Sequence, residues 1–97
     1  MPFWRMLVLE QEFIVSNRLG IHARVAAQIV KVANQFESQI WISKSGNNHK
    51  VNGKSILDIM TLVCPHGSTV HVHTEGPDAV QAMAALAALF QTKFGEV

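Results

Sequence analysis

A histidine and an arginine stand two positions apart in the segment NRLGIHARVAAQ, residues 17 to 28. His22 directly precedes a run with helical periodicity, and Arg24 falls in the first turn of the predicted helix. The start of a helix leaves backbone N–H groups without partners, and the helix dipole adds positive potential there. A phosphoryl group on a ring nitrogen of His22 would lie against the amides of Ala23 and Arg24 and against the Arg24 guanidinium. Gly20 would let the backbone approach without a side chain in the way.

The alternative interpretation of His22 is structural: the ring only caps the helix or fills the loop before it. The helix dipole contributes only ~0.3–1 kcal/mol, which suits a carrier, because a phosphoryl group held tightly would not be passed on. These residues by themselves leave both interpretations open.

The composition restricts the class of protein. The 97 residues are 48% hydrophobic and 15% charged, which predicts one folded domain over residues 1–97. Residues 1–6, which precede the first predicted strand, are expected to be a short N-terminal extension. A formal charge of +1 gives no general attraction to nucleic acid or to anionic lipid. The single cysteine, Cys64, excludes an internal disulfide and is expected to be a small buried hydrophobe. With no recognisable signal peptide or long apolar run, we expect a cytoplasmic protein.

The hydrophobic periodicity predicts the element order β-α-β-β-α-β-α. Strands are expected at residues 7–15, 40–43, 50–51 and 68–75, and helices from residue 23, over residues 54–63 and from residue 77. The loop at residues 45–48 suggests a hairpin between the second and third strands. The fold class is therefore α+β: an open-faced β-sandwich in which three helices cover one face of an antiparallel four-stranded sheet.

The ends and faces of the last helix can also be predicted. Pro77 suits its first position, and Gly95 suits the residue just past its end. The apolar stripe that should face the core consists of Val80, Met83, Leu86, Ala87, Phe90 and Phe94.

The second helix carries too many apolar residues for one buried stripe. It starts at Ser55, with Asp58 three positions later, which resembles a capping box. Ile56, Leu57 and Met60, together with Ile21, are candidates for an exposed surface that binds partner proteins. The alternative is that these side chains belong to the core.

Two histidines on one strand invite a metal interpretation. His71 and His73 share a face, but neither His49 nor His66 is an obvious third ligand. We therefore expect neither a metal site nor a cofactor.

The segment GIHARVAAQ resembles the active-site segment of the HPr family, the histidine-containing phosphocarriers of the phosphoenolpyruvate-dependent sugar phosphotransferase system. NGKSILDIMTL and HGSTVHVHTEG are similar to later landmarks of that family, so that the resemblance runs from Leu7 to Phe94. Val25 departs from it, since the family usually has proline there, and we expect an altered rate or stability rather than a lost function.

The resemblance implies a function for each matching residue. His22 would accept a phosphoryl group at Nδ1 from enzyme I and pass it to enzyme IIA domains, and Arg24 would assist the transfer. Ser55 matches the serine that a dedicated HPr kinase/phosphorylase modifies. The chain would then be a monomeric carrier with a transient phosphohistidine and no independent turnover.

Two other functions stay open on the sequence. An HPr-like carrier of the nitrogen-regulatory phosphotransferase branch would pass phosphate to a different enzyme IIA and move no sugar. A non-phosphorylated interaction module would bind a regulator through Ile56, Leu57 and Met60, with His22 as a helix cap. RNA binding on the sheet is disfavoured, because no pair of strands is basic and rich in aromatic residues.

Overall fold

A computed structural model describes residues 7–97. The four strands and three helices follow the predicted order, and the bounds are β1 Val8–Ile14, α1 Ala23–Ala33, β2 Gln39–Lys44, β3 Lys50–Asn52, α2 Ile56–Met60, β4 Thr69–Glu75 and α3 Ala79–Gln91. A single 3-10 turn, Lys93–Gly95, follows α3. Within the described residues no helix combines the length and the apolar character that crossing a membrane requires.

The sheet is antiparallel throughout, with the strand order β1-β4-β2-β3. Alternate side chains of the two central strands are buried, including Val70 and Val72 of β4 and Ile40 and Ile42 of β2. The intervening side chains point to the opposite face, which the helices leave open, and Trp41 on that face is 37% exposed. The predicted open-faced sandwich is confirmed.

The helices complete the core from one side. α1 buries Val25, Ala26, Ile29 and Ala33. From α3, Phe90 stacks on Phe13 of β1 with ring centroids 4.7 Å apart. The prediction that Val80 is buried is wrong, because this side chain at the start of α3 is 51% exposed.

Two helix boundaries differ from the prediction. α2 spans five residues and not the whole of residues 54–63, because the chain leaves the helix at Thr61 and Val63 adopts a positive φ of 52°. α3 begins at Ala79 rather than at Pro77. Its start is displaced because the Asp78 carboxylate accepts hydrogen bonds at 2.9 Å from two backbone amides at the entrance to β2, which keeps Asp78 outside helical geometry.

The end of the chain turns back toward α1. The prediction that Gly95 directly follows the last helix is wrong, because α3 already ends at Gln91. Three residues with positive φ come after it: Lys93 at 55°, Phe94 at 56° and Gly95 at 74°. A left-handed conformation costs a non-glycine residue about 1 kcal/mol or more. Burial of Phe94, whose ring packs edge-on against Phe90 at 5.0 Å, offsets this cost.

The loop before α1 is fixed by a close backbone approach at Gly20. Its φ is +73°, and a Cβ atom there would stand 2.5 Å from the carbonyl oxygen of Cys64 and 2.8 Å from Cα of Pro65. The neighbouring Ile21 N–H donates to the same carbonyl at 2.8 Å. The position of His22 therefore depends on the absence of a side chain at Gly20.

We predict that Gly20→Ala destabilises the fold more than Gly46→Ala. Both glycines have positive φ, but nothing lies within 4 Å of a Cβ at Gly46. The conformational penalty shared by both variants is about 1 kcal/mol, whereas overpacking adds about 1–3 kcal/mol at Gly20 alone. Urea unfolding of the two variants measures the difference, and equal losses would contradict the close approach.

Candidate functional site

His22 occupies the N-cap position of α1. Its backbone is extended, with φ −97° and ψ 179°, and its carbonyl accepts the first helical hydrogen bond, from Ala26 N–H at 2.9 Å. The imidazole makes no capping hydrogen bond. The ring is therefore not engaged by the helix, and the N–H groups of Ala23, Arg24 and Val25 have no acceptor within the helix.

The Glu96 carboxylate contacts both His22 and Arg24, the two residues predicted to handle a phosphoryl group. Glu96 Oε2 lies 2.8 Å from His22 Nε2 and accepts a hydrogen bond of 2.8 Å from the Arg24 guanidinium. Glu96 Oε1 accepts a third, of 3.0 Å, from Asn17 Nδ2. The carboxylate is 12% exposed, whereas His22 is 30% and Arg24 72% exposed. The two residues predicted to handle a phosphoryl group thus already share one bound oxyanion.

Asn17 supports the cluster of His22, Arg24 and Glu96 from the protein interior. Its side chain is fully buried, and Nδ2 also donates to the Gly20 carbonyl at 2.8 Å, while its backbone carbonyl lies 3.2 Å from His66 Nδ1. Asn17 Oδ1 is buried without a hydrogen-bond partner among residues 7–97. The Asn17 side chain therefore ties the loop before His22 to the Glu96 side-chain carboxylate.

The charge state of Glu96 follows from these donors. The Asn17 hydrogen bond and then the Arg24 guanidinium lower the pKa of the Glu96 carboxyl below its ordinary value, and together with a smaller contribution from His22 they outweigh the opposing effect of burial. Glu96 is therefore ionised at neutral pH and accepts hydrogen bonds only.

A small cavity of about 350 Å³ opens beside the carboxylate. Its walls are formed by Arg18, Leu19, Arg24, Gly95, Glu96 and Val97. Arg18 N–H donates to the carbonyl of Val97 at 2.6 Å, which fastens the C-terminal residues to the loop before α1.

The start of α2 follows the predicted cap in part. Ser55 Oγ accepts a hydrogen bond from Asp58 N–H at 3.2 Å, as a capping serine does. The reciprocal hydrogen bond of the predicted capping box, from Ser55 N–H to the Asp58 carboxylate, is not formed. The Asp58 carboxylate instead accepts from Asn52 N–H at 3.4 Å.

Three of the four candidate partner residues are exposed. Leu57 is 79%, Ile56 40% and Met60 36% exposed, but Ile21 is buried at 8%, so its prediction as an exposed residue is wrong. Ile21 is buried because its backbone N–H donates a hydrogen bond to the Cys64 carbonyl, which brings the Ile21 side chain against the core.

A shallow groove of about 290 Å³ separates α2 from the loop before His22, and it is lined by Leu19, Ile21, Met60, Val63, Cys64 and Pro65. Leu19 and Val63 are 67% and 70% exposed, and neither was predicted to contribute. Cys64 is buried as expected, and this burial raises the pKa of its thiol. We call the exposed residues Ile56, Leu57, Met60, Leu19 and Val63 the apolar patch.

His71 and His73 lie on the open face of the sheet, away from this site. Their ring nitrogens are 3.3 and 3.2 Å from Glu10 Oε1, and His73 first and His71 second lower the pKa of that carboxyl. Over residues 7–97 no three His, Cys, Asp or Glu side chains are grouped as a metal ion would require.

Comparison with known proteins decides the family. The family model for the PTS HPr component phosphorylation site matches residues 9–92. The chain belongs to the HPr family. The phosphocarrier protein HPr of Neisseria meningitidis is 39% identical over 89 residues, which cover 92% of this chain and 98% of that protein. The resemblance seen in the sequence is confirmed.

Solved structures agree on the HPr fold. HPr from Thermoanaerobacter tengcongensis has a TM-score of 0.85 and 44% identity, over 92% of this chain and 98% of that one. A second structure is described as an HPr dimer from the same organism, with a TM-score of 0.71 and 47% identity over 78% and 85% of the two chains. The monomeric state expected for this chain stays a prediction.

Sequence reasoning found His22, Ala23, Arg24 and Gly20, which the structure places together at the start of α1. It missed Asn17 and Glu96. Glu96 is separated from His22 by 74 positions and stands next to the last residue of the chain, where no periodic pattern marks it. The space freed by Gly20 is filled by the Cys64 and Pro65 backbone.

We predict that the contribution of Glu96 to stability depends on pH. Because the folded-state pKa of Glu96 is lowered, its stabilisation is fully present above the ordinary glutamate value near 4.5 and is lost as the pH falls through the folded-state value. Wild type should exceed Glu96→Gln in unfolding free energy at pH 7, and the difference should vanish at low pH.

Urea unfolding from pH 7 to pH 3 measures this difference. Glu37→Gln, with an exposed side chain in the loop between α1 and β2, serves as the matched control and should show no comparable pH dependence. A constant difference between wild type and Glu96→Gln across the range would contradict the assigned interactions.

Proposed function

We propose that this HPr-family chain is a phosphocarrier that accepts a phosphoryl group on His22 from enzyme I, which is charged by phosphoenolpyruvate, and passes it to enzyme IIA of the sugar phosphotransferase system. The observation that carries the proposal is the Glu96 carboxylate bound within 2.8 Å of both His22 and Arg24. A site that binds one oxyanion beside an imidazole has the charge and the donors that a phosphohistidine needs.

The helix start supplies the remaining donors. A phosphoryl group on His22 would lie beside the unpaired N–H groups of Ala23, Arg24 and Val25, which retain their hydrogens because none of these residues is proline. Val25 is itself fully buried. The valine that replaces the usual proline therefore keeps its side chain in the core and adds an amide to the site.

Arg24 is placed to move between two anions. Its side chain is 72% exposed, and among residues 7–97 its guanidinium donates a hydrogen bond only to the Glu96 carboxylate. A surface ion pair of this kind is worth little, about 0–1 kcal/mol. The guanidinium can therefore turn to a phosphoryl oxygen at small cost, and a weakly held group can be passed on by a carrier that has no turnover of its own.

The apolar patch is suited to docking of enzyme I and enzyme IIA in turn. It adjoins His22 through Ile21, whose buried side chain lines the groove between α2 and the loop before His22. Flexible Met60 and the exposed Leu57 side chain can fit different partner surfaces. An exposed apolar surface next to the reacting group brings a partner's histidine toward His22.

Ser55 is proposed as a regulatory site within this surface. It caps α2 and adjoins Ile56 and Leu57 of the patch. Phosphate there is compatible with a helix start but places a dianion where apolar partner surface must dock. Modification by an HPr kinase/phosphorylase would therefore weaken docking without unfolding the chain.

We predict that enzyme I and phosphoenolpyruvate add one acid-labile phosphoryl group to the wild-type chain and none to His22→Ala. Intact mass and phosphorus NMR measure the label. Arg24→Ala should be charged about tenfold more slowly or worse, because one donor to the transferred group is lost.

His49→Ala provides a matched histidine control, since His49 is exposed in the loop between β2 and β3, outside the Glu96 cluster. This variant should be charged like wild type. Failure to label the wild-type chain under conditions that charge a known HPr, or equal labelling of His22→Ala, would contradict the proposal.

We predict that Leu57→Ala and Ser55→Asp weaken the binding of enzyme I without loss of stability. The first removes an anchor that is 79% exposed, and the second places a charge in the patch while keeping a good N-cap residue. Calorimetric binding should weaken by about 1 kcal/mol or more for each variant.

Val80→Ala is the control for this binding experiment, because Val80 is also an exposed apolar residue, 51% accessible, but lies on α3 outside the patch. It should bind enzyme I with wild-type affinity. Equal affinities for all of these variants would show that docking uses another surface.

A further inference from the structure

The two ring nitrogens of His22 have different surroundings. Nε2 lies 2.8 Å from Glu96 Oε2, whereas Nδ1 has no hydrogen-bond partner among residues 7–97. An ionised carboxylate only accepts hydrogen bonds, so Nε2 must carry the hydrogen of this contact. A neutral imidazole has one N–H, and its Nδ1 therefore keeps a free lone pair.

Glu96 is held firmly enough to impose this state on the ring. Its second oxygen accepts from the buried Asn17 amide at 3.0 Å. On either side of it, Phe94 is anchored in the core and the Val97 carbonyl accepts from Arg18 N–H. The carboxylate is thus fixed by contacts that do not involve His22.

We propose that Glu96 is a positioning residue that directs phosphorylation of His22 to Nδ1. The inference rests on the proposed function and specifies how its site selects one of two nitrogens. Glu96 occupies Nε2, excludes an electrophile from it, and leaves Nδ1 as the nucleophile.

The transfer step balances with no bond made or broken at Glu96. The Nδ1 lone pair attacks phosphorus, a bond forms between Nδ1 and phosphorus, and the bond from phosphorus to the donor nitrogen breaks with its electron pair leaving on the donor. Because Nε2 keeps its hydrogen, the ring becomes a cation, and the adjacent Glu96 carboxylate stabilises that charge. The reverse step, onto an acceptor nitrogen, restores the neutral ring.

Arg24 shares Oε2 with Nε2 but is not needed for this selection. Its exposed guanidinium can leave for the phosphoryl group, while Glu96 remains bound to Nε2 and to Asn17. Glu96 and Arg24 therefore have separable effects: Glu96 acts on the site of phosphorylation and Arg24 on its rate.

The test uses phosphoramidate, a small donor that needs no partner protein. Wild type, Glu96→Ala, Glu96→Gln and Glu37→Ala are phosphorylated, and the phosphohistidine isomers at position 22 are quantified by phosphorus NMR and by alkaline digestion. His22→Ala reports labelling of the other four histidines, which is subtracted. Circular dichroism of each variant confirms that the fold is retained.

Wild type and Glu37→Ala are expected to give the Nδ1 isomer. Glu96→Ala should raise the share of the Nε2 isomer about tenfold, by analogy with the lower end of the effects of removing a partner that orients a metal-binding histidine. Glu96→Gln should be intermediate, because its amide oxygen still accepts from Nε2–H. A residue with only a structural role would not change the isomer ratio.

The isomer ratio separates this inference from the proposed function. Three results would overturn the role of Glu96. The first is Nδ1 labelling that is equally exclusive in wild type and Glu96→Ala, the second is predominant Nε2 labelling of wild type, and the third is no labelling of wild-type His22 by phosphoramidate. If phosphoramidate gives the expected ratios but enzyme I fails to charge the chain, the proposed function fails and the role of Glu96 is supported.

Discussion

The Glu96 carboxylate joins parts of the chain that are far apart in sequence. It accepts hydrogen bonds from Asn17 in the loop after β1, from His22 at the N-cap of α1 and from Arg24 in its first turn. The buried Phe94 brings it there by anchoring the turn that follows α3. The geometry of the candidate site therefore depends on contacts between the loop after β1, the start of α1 and the turn after α3, and the sheet and helices hold these segments together.

The element order and the start of α1 could be predicted because both depend on local patterns. Alternating polarity identified β4, a change to helical periodicity identified α1, and the unpaired amides of a helix start pointed to the chemistry of His22 and Arg24. The Ser55 cap was equally local, since its acceptor and its donor lie three residues apart.

The features that sequence reasoning missed depend on long-range contacts. Asp78 binds backbone amides at the entrance to β2, 40 and 41 positions away, and this contact delays the start of α3 beyond Pro77. Ile21 is buried because its backbone N–H donates a hydrogen bond to the Cys64 carbonyl. Glu96 joined the site through a left-handed turn built on residues other than glycine, a conformation that no pattern in the sequence indicates.

The proposed function requires His22 to carry a phosphoryl group from one protein to another. The most direct measurement is a chase: the chain is charged with labelled phosphate, purified, and mixed with a sugar-system enzyme IIA or a nitrogen-related enzyme IIA. We expect the label to leave His22 within the mixing time of the assay and to appear on the sugar-system enzyme IIA. Label that remains on His22 with both acceptors would contradict a carrier function.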